Sequence, residues 1–289
     1  MIKFEASYRM EIEDIEGNIQ IIEFPLTCDF VIERNTLAGF NTAEFTVFNL
    51  SETTRNLIRR NAISMSDTRT IKWYAGYDDQ LPLVFSGYVQ TCSSTRESTD
   101  WITNISCFDP GPLSMNANIS VSLNAGSFQA NNVENLVNDF MKPIKFGKIG
   151  NIFSKNPILL RGNAFSGSIN SILRKMTNGN FFIDNGVAFA LAPNECLPDQ
   201  GYTTIDESTG LLGSPDYEDT YANCNIIFEP RIVAAQQLTL NCDQKYLNGT
   251  FKLVAFGHRG RISGSLGGER VTSLSLYNPL NSFGLSVLK

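Results

Sequence analysis

Apolar residues fall on alternate positions through most of the first third of the chain. Ile2, Phe4, Ala6, Tyr8, Met10 and Ile12 share one face of an extended segment, and polar or charged residues take the other. A turn at Glu16–Asn18 follows, and Leu26, Cys28, Phe30 and Ile32 resume the period of two. Phe45 and Val47 repeat it in "FTVFNLSETTRNLI", where a strand runs through an Asn-Leu-Ser hinge into a helix of barely two turns, expected over 52–60. Beyond that helix, "IKWYAGYDDQLPLVFSGYVQ" predicts two strands joined at Asp78–Pro82, the second reaching Thr95. "WITNISCFD" is its partner. Short strands at close spacing with turn residues between them predict an antiparallel barrel or sandwich, ending near the "DPGPL" break at 109–113.

The period then changes. Val133, Leu136, Val137 and Phe140 are spaced for a helix near 132–141, with the pair Asn131–Asn132 placed to cap it. Ile169, Ile172, Leu173 and Met176 predict a second helix near 167–177, stopped by Gly179. "NFFIDNGVAFALAP" predicts a hairpin over 180–192, because Asn185–Gly186 is the preferred pair for a two-residue type I′ turn. Glu195 to Glu229 holds acids, glycines and prolines but no Lys or Arg, and reads as largely loop. Strand patterning returns at "NIIFEPRI", "QQLTLNC", "GTFKLVAFGHRG" and "RVTSLSLY", before an aperiodic tail expected to pack outside or on a neighbour. The expected fold is mainly β (α+β): β domains at 1–112 and 201–289 with a helix-plus-hairpin insertion at 113–200.

Composition narrows the partners. A net charge of −6 over 289 residues argues against a protein that grips nucleic acid through its phosphates. Lys3, Glu5 and Arg9 interrupt the start, so no signal peptide is expected there, and no window nears the ~18 apolar residues of a membrane span; the expected compartment is a cytoplasm. Cys28, Cys92, Cys107, Cys196, Cys224 and Cys242 are scattered through strand-like runs and read as buried free thiols rather than a zinc or redox site. No metal or cofactor is expected.

Candidate chemistry is sparse. His258, the single histidine, reads as a strand-end or surface residue beside two arginines. "SGSLGG" has neither the order of a nucleophile elbow nor the Lys-Ser/Thr of a phosphate loop, and reads as a hairpin tip. Ser51 has no flanking glycine and reads as a helix N-cap; Arg59–Arg60 suits the negative end of the helix dipole. The carboxylates Asp78–Asp79, Asp206–Glu207, Asp216 and Glu218–Asp219 read as solvated acids, with glycoside hydrolysis as the catalytic alternative.

Two stretches carry a resemblance. "AEFTVFNLSETTRNLI" with "AGYDDQLPLVFSGYV" and a strand ending "SCFD", and later "IIFEPRIVAAQQLTLNCDQKYLNGTFKLVAFGHRGR", are similar in order and spacing to hub proteins of contractile phage tails, the late control protein D group. Arg261 stands where that group often has an aspartate after His-x-Gly. The resemblance implies two tube-like β-barrel domains per chain. It also implies a homotrimer forming a pseudo-sixfold ring that joins a sixfold tail tube to a threefold central spike.

By the same resemblance, neighbouring baseplate and tape-measure proteins are expected partners, and DNA passes through the lumen without sequence-specific binding. The chain would be a virion component assembled in the bacterial cytoplasm and would not be an enzyme. Ser51, Leu57 and Ile58, on the short helix and its cap, are the expected rim and interface residues. The alternatives are a hexameric tube or adaptor ring, a tail-tip glycosidase using acids of 195–229, and a carbohydrate-binding module. The last is weakened because most aromatics occupy strand positions.

Overall fold

The computed structural model describes residues 5–36, 41–60, 69–77, 80–109, 117–218, 220–265, 268–278 and 285–288. The first β part comprises β1 (Ala6–Glu13), β2 (Ile19–Glu23), β3 (Cys28–Asn35), β4 (Asn41–Phe48), the helix α1 (Glu52–Ile58), β5 (Thr70–Tyr77), β6 (Leu83–Glu97) and β7 (Asp100–Asp109). All seven strands pair antiparallel, in the order β2-β1-β5-β6-β7-β4-β3. Alternation works as expected: Tyr8, Met10, Ile12, Phe30, Ile32, Phe45, Val47, Ile71 and Trp73 are buried in one core.

The sheet must curl to make that core. Phe30 on β3 and Trp73 on β5 lie four strands apart in hydrogen-bonding order, which would separate them by roughly 19 Å in a flat sheet. Their ring centroids are 4.7 Å apart. Gly76, in the Ala-Gly-Tyr stretch, is imposed by close approach, because a Cβ there would lie 2.0 Å from the Gln80 carbonyl oxygen. Asp78 and Asp79 lie outside the described residues, as do residues 110–113 of the expected "DPGPL" boundary.

The insertion contains β8 (Asn118–Leu123), α2 (Gln129–Phe140), β9 (Lys145–Ile149), β10 (Asn163–Ser168), α3 (Ile169–Met176), β11 (Phe181–Asp184) and β12 (Val187–Ala190). Val133, Leu136, Val137, Ile169, Ile172 and Leu173 pack the two helices over β9, β11 and β12 in a core of their own. The Asn131–Asn132 pair does not cap α2. That helix starts earlier, with Phe128 in the cap position and no side-chain cap, and both asparagines lie within it. Asn185 (φ 50°) and Gly186 (φ 73°) are both left-handed, as a type I′ turn demands.

The last part holds β13 (Glu195–Cys196), β14 (Thr204–Ile205), β15 (Leu211–Glu218), β16 (Tyr221–Ile227), β17 (Gln237–Leu240), β18 (Gly249–Ile262), β19 (Arg270–Tyr277) and β20 (Ser286–Val287). Glu195–Glu229 is therefore not largely loop. It carries the antiparallel pair β15–β16, with β15 at the free edge, where a strand tolerates Gly213 and Pro215. "FEPRI" is not strand; β16 stops at Ile227. β20 pairs with β13, so the end of the tail packs on its own chain.

The two β parts are one sheet. β18 pairs antiparallel with β3 over eight positions, from Ala255↔Asn35 to Ile262↔Cys28. A path of hydrogen-bonded strands thus runs from β15 through β16, β19, β18 and β3 to β2. The face away from the cores carries polar cross-links across the middle of this path, interrupted by exposed Val31 on β3 and giving way to Ile19 and Ile21 on β2: Thr46 donates to Asn104 (2.9 Å), Ser273 to Asn225 (2.7 Å), and Arg261 pairs with Asp29.

Candidate functional site: a buried polar joint

Alternation on β3 places Arg34 on the same side as Phe30 and Ile32, at the strand end where the apolar core runs out. A guanidinium with 3% of its side chain exposed needs a partner, and Asp184 at the end of β11 supplies it. Arg34 Nε donates to Asp184 Oδ1 at 2.7 Å, Nη2 donates to Oδ2, and Nη1 donates to the Val84 carbonyl at 2.8 Å. Asn41 Nδ2 donates to the Ile183 carbonyl at 3.0 Å and to Asp184 Oδ1 at 3.3 Å.

The type I′ turn seats beside this pair. Gly186 N–H donates to both oxygens of Asp109, at 3.1 and 3.2 Å, and Asn185 Oδ1 accepts from Ser86 N–H at 2.9 Å. The insertion is thus fastened to β3, β4, β6 and β7 through polar groups removed from water. Burial, reinforced by the neighbouring Asp184 charge, pushes the Asp109 carboxyl up to about 7.

His258 is not at a strand end or on the surface. It lies within β18, opposite Ile32, and is fully buried. Phe228 and Phe256 meet its ring edge-on at 5.2 and 5.1 Å, and its Nδ1 hydrogen-bonds the Thr272 hydroxyl at 2.8 Å. Burial, and then the Arg34 charge, lower its pKa to about 3. It is a neutral core histidine, and its surroundings are aromatic rather than catalytic.

Ser51 accepts a hydrogen bond from Thr54 N–H at 3.1 Å at the start of α1. Ile58 is buried in the first core, whereas Leu57 is half-buried and its carbonyl accepts from Ile15 N–H at 3.2 Å. The guanidinium of Arg55 stacks 3.8 Å over Trp101, holding the helix to the β6–β7 end of the sheet. Arg60 is buried rather than solvated, and its backbone exchanges hydrogen bonds with Cys92.

A groove of about 590 Å³ crosses the polar face of the sheet, bordered by Glu33, Asn223, Arg259 and Ser275. Of the acid pair Asp216 and Glu218, the first borders it and the second does not. Asp206 is held in a turn, accepting from Ser208 and Thr209, and these bonds lower its pKa. Asp219 lies outside the described residues.

All six cysteines are free and five are buried; burial pushes Cys92 and Cys224 up to about 12 and Cys196 up to about 11, far from a reactive thiolate. Among the described residues no cluster of ligands suits a metal ion, and no helix is long and apolar enough to cross a membrane. The sequence pointed to scattered residues, and the structure instead assembles Arg34, Asn41, Asp109 and Asp184 from three separate stretches. The legible signal was the Asn-Gly turn. Arg34, as a charge on the apolar face of a strand, was a second one.

The family model described as baseplate hub gp41 matches residues 9–257. The chain belongs to that family. The matched span runs from Arg9 in β1 to Gly257 in β18, and Arg34, Asn41, Asp109 and Asp184 all lie within it. No curated protein matches the sequence.

Among solved structures, the chain is similar to a tail protein from Neisseria meningitidis (TM-score 0.59, 9% identity, 93% of this chain and 96% of that one). It is likewise similar to a 43 kDa tail protein of prophage MuSo2 from Shewanella oneidensis (0.59, 8%, 93% and 98%). The E. coli c3393 protein, a type VI secretion component, also matches (0.57, 9%, 90% and 76%). At such identities the shared property is the fold. It is that of phage tail proteins, and this hub-family chain is a phage tail baseplate component.

Proposed function

We propose that the chain is a non-enzymatic structural hub. Three copies form a pseudo-sixfold ring that adapts a sixfold tail tube to a threefold central spike and lines the passage for DNA. The observation that carries this reading is the β3–β18 pairing. One chain holds two β parts in a single hydrogen-bonded sheet, so three chains would present six β parts around an axis.

The polar face of that sheet suits the wall of such a passage. Its Thr, Asn and Ser side chains already hydrogen-bond one another, and Arg261 is neutralised by Asp29. A wall of this kind offers phosphates few free cations to grip. Tube, spike, baseplate and tape-measure proteins would be the neighbours, with assembly in the host cytoplasm. The glycosidase alternative draws no support from geometry, since Asp216 and Glu218 stand two residues apart on one edge strand rather than facing across a cleft.

Mass measurement of the purified chain by light scattering tests the assembly, and cryo-EM tests its symmetry. The expected result is a trimer whose polar sheet face lines the lumen. A hexamer, a monomer at high concentration, or a polar face turned outward overturns the reading.

A further inference from the structure

Two exposed apolar patches of opposite flanking charge lie on different parts of the chain. The first is at the β2 edge of the sheet. Ile19 and Ile21 are each 52% exposed and share the outward face with Glu23. The register sets Glu13 opposite Ile19, Glu11 opposite Ile21 and Arg9 opposite Glu23; Arg9 pairs with Glu11 at 3.1 Å, so Glu13 and Glu23 leave the surround of these isoleucines net acidic. β2 is a terminal strand of the sheet path, so one of its backbone edges is left without a partner strand among the described residues.

The second patch is on the insertion. Phe128 and Ile158 form an antiparallel bridge, fastened by Leu159 N–H donating to the Ser127 carbonyl at 3.0 Å. This sets their side chains beside each other, with Leu160 two residues further along. Phe128 is 54% exposed and Leu160 is 87% exposed. Lys155 and Arg161 flank the patch, both exposed. The insertion as a whole is basic. Residues 117–194 carry seven Lys and Arg against three Asp and Glu, a net +4 in a chain of −6, which leaves −10 on the remainder.

Patches of this kind are costly to leave in water and mark contact surfaces. An apolar surface with a net acidic surround is complementary to one flanked by a lysine and an arginine. We propose that the occupant of each patch is the other patch on a second copy of this chain, so that the Phe128–Ile158–Leu160 face of one protomer seats on the Ile19–Ile21 edge of the next. The contact joins unlike surfaces. It therefore repeats head to tail and closes into a ring when the rotation between copies allows. It rests on the ring reading above and identifies the surfaces that join it.

The test uses the full-length chain. Ile19→Asp/Ile21→Asp breaks one patch and Leu160→Asp/Arg161→Glu the other, all at exposed positions, with unchanged circular dichroism as the check on folding. Each variant alone should associate at least ~10-fold more weakly than the wild type, as truncated contact residues commonly do. An equimolar mixture should form a one-to-one heterodimer that goes no further, because each variant retains one complementary half. Raising salt should weaken the wild-type assembly.

Variants that assemble like the wild type, or a mixture that stays monomeric, overturn the inference. If the wild type trimerises while these variants are unaffected, only this contact fails. If the wild type does not self-associate, the ring reading fails with it.

Discussion

Asp109 and His258 respond to pH in opposite directions within one buried neighbourhood. The folded pKa of Asp109, about 7, lies above its unfolded value near 3.9. Its contribution to stability is complete below about pH 4 and is lost as pH rises through about 7. His258, at about 3 when folded, contributes fully above about pH 6.5, and that contribution is lost as pH falls. The two slopes oppose each other between about pH 4 and about pH 6.5. Asp109→Asn should therefore unmask the histidine. Relative to the wild type, the variant should gain on the order of 2–4 kcal/mol in urea titrations near pH 8 over those near pH 5. Parallel pH profiles would contradict this. Arg34→Ala leaves a buried carboxylate without its cation and should cost about 3–5 kcal/mol, most of which Arg34→Met combined with Asp184→Leu should restore.

At the scale of elements, two short devices set the geometry, the α1 cap and the turn at Asn185–Gly186. Ser51→Ala should cost about 1 kcal/mol by urea titration, the loss of one capping bond. Leu57→Asp should leave the fold intact and weaken the trimer in a mass measurement if α1 sits at a rim contact, as expected from the sequence; an unaltered trimer would remove α1 from the interface. The turn was legible because its demand is local: two left-handed residues in succession select Asn-Gly almost alone. The strands of the first part were legible for a similar reason, since each buries one face. The β15–β16 pair was hidden because an edge strand can keep glycine, proline and acids that a central strand excludes. His258 was misplaced because Gly257 and Gly260 resemble a strand end, although β18 runs on to Ile262. Neither Arg34 nor Asp184 could be matched to the other from sequence, because their pairing depends on how the insertion docks.

At the scale of the whole molecule, the continuous sheet makes the two β parts mechanically one body. Both tryptophans, Trp73 and Trp101, belong to the first part, so their fluorescence reports that part alone, whereas circular dichroism reports every strand. The two signals should follow the same thermal transition at the same midpoint. An earlier fluorescence change would show that the β3–β18 seam does not couple them. The seam also has a consequence for biosynthesis. β3 is complete once Asn35 has emerged from the ribosome, but its neighbour β18 begins only at Gly249. Throughout the intervening translation, one flank of β3 is an open template for any passing strand, and Arg34 waits for Asp184. The nascent chain thus spends most of its synthesis in a form that invites mispairing. Termination upstream of Gly249 would leave that flank permanently unsatisfied, so truncated products should be insoluble while the full-length chain is not.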